Sequence, residues 1–244
     1  MSNKIMGKIS ETIKKQQFNP GLLGVFINPF YLVRRELYRN IFSLAKHIKG
    51  RVLDIGCGSK PYQKLFTDAK EYAGMEFDSE ANRAKKQADI FYDGKRFPFE
   101  DSRFDSVIAT EVLEHVFNPD EFANEINRVL KKGGNVLLTV PFVWDEHEQP
   151  YDYARYSSFG LSHLLQKHGF KIMEMRKTLG DIRVVFQLIN CYVHKIIPVK
   201  NYRFRLCFYV LFIAPFTIAG ILISFILPKN QDLYMNNIIL AKKI

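Results

Sequence analysis

Over the middle of the chain, apolar residues gather in short runs of four to eight, bounded by glycine, proline and acids. Runs of that length read as buried strands, and apolar positions three and four apart read as helices. The pattern predicts strands over 51–55, 71–76, 89–91, 104–109, 135–141, 171–178 and 234–241. Helices are expected over 61–67, 79–85, 119–131 and 158–168. Strands alternating with helices make a parallel sheet covered on both faces, the doubly wound α/β class. Ahead of it, Leu37, Ile41, Leu44 and Ile48 recur at helical spacing within 30–48. Residues 1–18 are polar and lysine-rich, a loose helix or tail. The expected organisation is a helical cap over 1–49, a sheet domain over 50–180 and 232–244, and a hydrophobic insertion over 181–231.

The insertion breaks the pattern. Leu206 to Leu227 is an uncharged run of 22 residues, and Ile182 to Val199 is a second apolar stretch carrying Arg183, His194 and Lys195. As one helix the longer run would extend about 33 Å, enough for a hydrocarbon core. A single crossing conflicts with the strands on either side, which belong in one sheet. A two-span hairpin would translocate Lys200, Arg203 and Arg205, against the positive-inside preference. Pro215 removes one helical hydrogen bond and favours a bend. A bent helix or hairpin dipping into one leaflet meets all of these constraints, with a soluble lid or dimer face as the alternative. Pro20 to Val33 is also apolar, but it is short and lacks a small-residue cleavage site, so no signal peptide is expected.

Charge sharpens this picture. The net charge is +10, yet residues 51–170 hold 20 acids against 15 Lys/Arg, so the excess of base lies in the flanks. Basic residues beside a long apolar run suit an anionic membrane surface, and they lack the spacing of a nucleic-acid interface. Cys57, Cys191 and Cys207 have no paired spacing and are read as reduced cytosolic thiols. The oligomeric state is not legible.

The chemistry begins at Arg51-Val-Leu-Asp-Ile-Gly-Cys-Gly-Ser-Lys-Pro-Tyr62, a strand that carries Asp54 and runs into a turn at Gly56 and Gly58. Glycines let backbone approach a ligand, and a helix opening at Pro61 would offer unpaired N–H groups. About twenty residues on, a second strand ends in acid at Glu76. Asp93 lies ahead of Phe97-Pro-Phe99, and Phe104-Asp-Ser-Val-Ile-Ala-Thr-Glu-Val-Leu-Glu-His115 follows.

With these motifs in this order, the stretch from Gly50 to Phe170 resembles the class I S-adenosylmethionine-dependent methyltransferases. The resemblance implies a seven-stranded, mostly parallel sheet with the last strand antiparallel, and S-adenosylmethionine as cofactor. It implies that Asp54, Gly56 and Gly58 line the cofactor's amino-acid end and that Glu76 takes the ribose. Asp93, with Asp89 as competitor, would meet the adenine. Glu111 would lie near the reactive end, or would simply favour a helix N-terminus. Glu111, Glu114 and His115 also resemble a magnesium-binding set of some quinone O-methyltransferases; the motif occurs widely without metal, and none is assigned.

Beyond the fifth strand, Trp144 to Tyr156 resembles an H-E-x-P-x-D-x-x-R-[FY] pattern of bacterial methyltransferases linked to cell-surface glycan and lipid assembly. His147 could accept a proton from an acceptor hydroxyl, with Glu148 or Asp152 orienting it. Arg155 could bind a phosphate or carboxylate, or close a structural ion pair with Asp152. The whole reads as an enzyme on the cytosolic face of the membrane, peripheral or monotopic, O-methylating a lipid-linked glycan, glycolipid or isoprenoid-type acceptor. Its rivals are a soluble small-molecule methyltransferase with a hydrophobic lid and a catalytically silent, cofactor-binding membrane adaptor.

Overall fold

The computed structural model describes residues 15–198 and 201–244, so the lysine-rich start and Lys200 lie outside the described residues. The chain divides into two compact units. One comprises residues 40–176 and 236–244; the other joins the chain before residue 40 to residues 177–235.

The first unit holds a seven-stranded sheet: β1 Gly50–Ile55, β2 Ala69–Phe77, β3 Ile90–Tyr92, β4 Phe104–Thr110, β5 Leu130–Pro141, β6 Phe170–Lys177 and β7 Asn236–Lys243. Their order is β3-β2-β1-β4-β5-β7-β6. β1 runs parallel to both β2 and β4, whereas β7 runs antiparallel to β5. The expected seven-stranded α/β architecture is therefore present. The chain winds outward from β1 to β3, then restarts at β4 on the other side. That reversal between β1 and β4 opens a crevice at the carboxyl ends of the strands, where such sheets bind ligands. Leu53, Ile55, Val107, Val136, Leu138 and Ile239 are fully buried or nearly so. Central strands buried on both faces have no reason to alternate, hence the continuous apolar runs in the sequence.

Of the expected helices, 79–85 and 158–168 survive almost unchanged as Glu80–Lys85 and Ser158–Lys167. The helix expected over 119–131 ends at Val129, because Leu130 already begins β5. The helix expected over 61–67 is absent: only one 3-10 turn, Gln63–Leu65, forms there. Lys60 sits in the left-handed region with its N–H bonded back to the Cys57 carbonyl at 2.7 Å, and both Tyr62 and Phe66 turn into the core. The chain must then re-enter the sheet at Ala69. The glycine turn consequently lacks a full helix behind it, and backbone donors for a ligand must come from the turn itself.

The second unit is helical. Its elements are α1 Gly24–Ile27, the N-terminal part of α2 Tyr31–Leu44, α6 Arg183–Ile196, α7 Tyr202–Phe208 and α8 Ala214–Ile223; α3 to α5 are Glu80–Lys85, Pro119–Val129 and Ser158–Lys167 in the sheet unit. A π-helical turn over Tyr209–Ile213 joins α7 to α8 just before Pro215, so the missing proline N–H is absorbed by a wider turn and Phe204–Ile223 continues as one helix. α6 packs on α8 closely: a Cβ on Gly220 would lie 2.8 Å from the Phe186 Cβ. Inside this pair the Asn190 amide donates to the Thr217 hydroxyl at 2.8 Å, and Gln187 donates to the Pro29 carbonyl at 3.0 Å. Polar groups thus face inward. Phe204, Leu211, Leu222, Phe225 and Ile226 are exposed, as are Leu22 just before α1 and Phe26 within it.

Candidate active site

β1 ends at Ile55, and the chain turns over the sheet edge. The N–H groups of Gly56 and Cys57 both donate to the Met75 carbonyl of β2, at 2.8 and 3.2 Å. Gly56 has φ +62°, and a Cβ there would lie 2.4 Å from Val112 Cγ2, so no other residue fits. Gly58 has φ +47° and faces open space, with no atom within 4 Å of where its Cβ would be. Room beside exposed backbone is what a bound cofactor requires. The Glu76 carboxylate, at the end of β2, faces the Gly58 N–H, and burial pushes its pKa upward.

Asp54 is almost fully buried beneath the turn and accepts a 2.6 Å hydrogen bond from the Tyr72 hydroxyl. Burial pushes its carboxyl up to about 7, against the stabilising bond from Tyr72 and with a further push from Glu76. Asp89 is engaged elsewhere: it accepts from Lys60 Nζ at 2.6 Å and from the Gly74 N–H at 2.7 Å. Burial raises its pKa, but these two donors outweigh it and hold the carboxyl low. Asp93 lies exposed after β3, accepting only the N–H of Lys95 at 2.9 Å among the bonds described. Between the two candidates for the adenine, Asp93 is the one left available.

Glu111 stands at the end of β4 with φ +55°. Its Oε1 accepts from the Thr139 hydroxyl at 2.7 Å and its Oε2 from the Asn236 amide at 2.8 Å. No full helix begins there, only the 3-10 turn Leu113–His115, so the helix-dipole reading does not apply. Glu111 ties the ends of β4, β5 and β7 together.

The loop after β5 folds back over that turn. The Glu114 carbonyl accepts the N–H groups of Tyr153 and Ala154 at 2.8 and 3.2 Å. Asp152 and Arg155 form a two-pronged ion pair at 2.6 and 2.7 Å, and Arg155 also donates to the carbonyls of Asp145 and Ala154. These bonds from Arg155 hold the Asp152 carboxyl down at about 2. Of the two roles open to this pair, the structure displays the loop clamp. Asp152 also accepts the His147 N–H at 3.0 Å and lies 3.3 Å from His147 Nδ1, so it orients the imidazole. Glu148 instead acts on Glu76.

Beside His147 lie two groups that the sequence did not bring together with it. The His115 and His147 rings meet edge to face at 4.7 Å. Their Nε2 atoms stand 3.8 and 4.0 Å from Oε1 of Glu114, whose side chain is fully buried. Burial, then the charge of Glu111, raises the Glu114 pKa well above the usual carboxylate range. The motifs holding these residues were visible in the sequence, but their convergence depends on a loop reaching across from the next strand.

Residues 53–138, from β1 through the body of β5, match the family described as a methyltransferase domain. Over those residues the chain carries a methyltransferase domain, in the fold of the class I S-adenosylmethionine-dependent methyltransferases. A methyltransferase of Mycobacterium leprae, uncharacterized beyond that, is 31% identical over 135 residues, covering 50% of this chain and 50% of its own length. The phosphatidylethanolamine N-methyltransferase of Cereibacter sphaeroides is 28% identical over 108 residues, covering 40% of this chain and 53% of its own. The chain thus spans about half the length of these curated relatives. Among solved structures, phosphoethanolamine N-methyltransferase 2 of Haemonchus contortus, in complex with S-adenosyl-L-methionine, superposes with a TM-score of 0.53 at 17% identity. That match covers 93% of this chain and 58% of the other, and at such identity it speaks for the fold. S-adenosylmethionine is the cofactor of this methyltransferase domain. The open backbone at Gly58, flanked by Glu76 and Asp54, fits it.

Proposed function

We propose that this protein methylates a hydroxyl group of an amphiphilic acceptor, a lipid-linked glycan, glycolipid or isoprenoid, at the cytosolic face of a membrane. The observation that carries the membrane half is the helix Phe204–Ile223. It is 20 residues long and apolar enough to cross a bilayer, yet only 28% of its most apolar window is buried. A core helix of a soluble protein would hide most of that surface, and exposed apolar area of this extent marks an interaction site. β6 and β7, which bracket the segment, are neighbours in one sheet, so the chain must return to the side it left. Insertion into one leaflet meets that condition, with Lys195 and Arg205 placed for anionic headgroups. The phosphatidylethanolamine named for the Cereibacter sphaeroides relative, methylated there on nitrogen, supports an amphiphilic acceptor.

On the donor side, Asp54 and the Gly56–Gly58 turn hold the amino-acid end of the cofactor, Glu76 the ribose and Asp93 the adenine. Bound S-adenosylmethionine supplies a methyl group on a sulfonium: the acceptor oxygen forms the new C–O bond as the C–S bond breaks and its electron pair stays on sulfur. The protein's task is alignment and removal of the hydroxyl proton. That proton leaves at the cluster of Glu114, His115 and His147, with Asp152 orienting His147 and Arg155 holding the loop.

The test is incubation of membranes and fractionated lipid extract with methyl-labelled cofactor, alongside flotation of the full chain on anionic vesicles. Label in an amphiphile and co-flotation are expected. Label confined to water-soluble products, together with release of the protein without detergent, would replace this reading with a soluble small-molecule methyltransferase.

A further inference from the structure

We propose that Glu114, His115 and His147 form a binding site for one divalent transition-metal ion of the zinc type. The site deepens the reading above and rests on it only for the acceptor; the ion's binding is independent of methyl transfer.

The first support is what the three side chains present. One carboxylate oxygen and two imidazole nitrogens lie within 4.8 Å of one another. The His115 Nδ1 lies 2.7 Å from the Tyr151 carbonyl oxygen, which can only accept, so that nitrogen carries the proton and Nε2 carries the lone pair. His147 repeats the arrangement: its Nδ1 faces the Asp145 carbonyl at 3.2 Å and Asp152 Oδ2 at 3.3 Å. Both Nε2 lone pairs are turned toward Glu114 Oε1. A histidine whose other nitrogen donates to a carbonyl or carboxylate is how proteins orient metal ligands.

Glu114 itself is the independent second support. Its side chain is fully buried, and beyond a contact with its own backbone N–H neither carboxylate oxygen has a hydrogen-bond partner. Leaving a buried polar group unpartnered costs about 1–3 kcal/mol, more if it is charged. Protonation does not cure the defect toward the imidazoles, whose Nε2 atoms stand 3.8 and 4.0 Å away, beyond hydrogen-bond reach. A cation seated between the three groups would do so. Bonds of about 2.0–2.1 Å put tetrahedral ligand atoms roughly 3.3 Å apart, so the two histidines need each move about half an ångström or more toward Glu114, and the widest pair closes by up to about 1.5 Å. The charge of Glu111 favours a cation here, and the charges of Arg155 and Asp152 offset each other in their ion pair.

Ligand chemistry selects the ion. Two imidazoles and one carboxylate suit zinc and its neighbours, whereas magnesium takes oxygen ligands and keeps its waters. The magnesium-like set of Glu111, Glu114 and His115 is not assembled, since Thr139 and Asn236 hold Glu111. Three protein ligands leave an open position, and there an acceptor hydroxyl would be acidified, with His147 as ligand and the proton passing to water.

The test uses the full chain stripped by chelator and titrated with zinc, cobalt and magnesium. Expected are one tightly bound zinc per chain and a cobalt absorption spectrum of low-coordinate nitrogen and oxygen ligation. Weak magnesium binding is expected. Glu114→Gln, His115→Ala and His147→Ala should each weaken zinc by at least about 10-fold while leaving cofactor affinity within about twofold. Glu114→Gln preserves shape, so a fold check by circular dichroism accompanies it. Absence of zinc binding, or binding indifferent to all three changes and abolished by Cys207→Ser, overturns the site. Cofactor calorimetry on the same samples separates the two readings: metal without cofactor sinks the methyltransferase reading alone, and cofactor without metal sinks this one.

Discussion

The Tyr72 hydroxyl on β2 donates a 2.6 Å hydrogen bond to the buried carboxylate of Asp54 on the adjacent β1. This single bond keeps an acid in the interior directly beneath the glycine turn. It offsets burial only in part, and Asp54 is left with a pKa of about 7 against an ordinary 3.8.

A raised acid binds more protons in the native state than in the unfolded one. The stability it contributes is therefore full below about pH 4 and is lost as pH rises through about 7, on the order of 4 kcal/mol in all. A cationic cofactor group beside Asp54 would reverse the preference and hold it ionised. Cofactor affinity measured by calorimetry should rise severalfold between about pH 6 and pH 8. In Asp54→Asn that rise should vanish; a pH dependence equal to the parent's would mean that another group is titrating.

Tyr72→Phe removes the donor and leaves the carboxylate unsatisfied. Unfolding at neutral pH should be easier by about 1–3 kcal/mol. Near pH 4, where Asp54 is protonated, the deficit should shrink. Equal destabilisation at both values would assign the effect to packing.

Gly56→Ala and Gly58→Ala separate strain from collision. Both place alanine at positive φ, but only the first meets a neighbour, Val112. Gly58→Ala should fold with a loss of about 1 kcal/mol and weaken cofactor binding; Gly56→Ala should be far less stable in urea.

Arg155→Ala strips Asp152, 4% exposed, of its charged partner and leaves only the contacts with His147. A loss on the order of 3 kcal/mol is expected. Asp152 has a depressed pKa, so its contribution is present above about pH 4 and disappears as pH falls toward about 2. Acid unfolding of Asp152→Asn should accordingly begin from a lower plateau yet be less steep. Lysine at 155 cannot reproduce the two-pronged pair and should rescue only part.

Leu211, Leu222 and Phe225 are exposed in the helical unit. Replacing all three with serine should release the protein from anionic vesicles in flotation and leave its melting temperature nearly unchanged. Substitutions at Asn190 or Thr217, whose polar groups pair inside the same unit, should do the opposite. If the serine variant melts far lower, these side chains belong to a packed interface.

Local pattern was enough for the class of fold, the sequence of strands and the glycine turn, because a strand buried on both faces writes itself as a continuous apolar run. It also put Asp54, Gly56, Gly58 and Glu76 at or just past the ends of strands that the pattern marks, where the structure has them. Local signals misjudged 61–67, where Pro61 promised a helix and the burial of Tyr62 and Phe66 took the chain straight back to the sheet.

What no window of sequence contains is which distant groups meet. Asn236 and Thr139 capture Glu111 across 125 and 28 residues, Tyr72 finds Asp54, and His147 is carried to Glu114 and His115 by a loop pinned to the Glu114 carbonyl. Periodicity reports the contacts a residue makes with its own element. Hydrogen bonds and close contacts between elements are decided by the register of the sheet, and that exists only once the strands have paired.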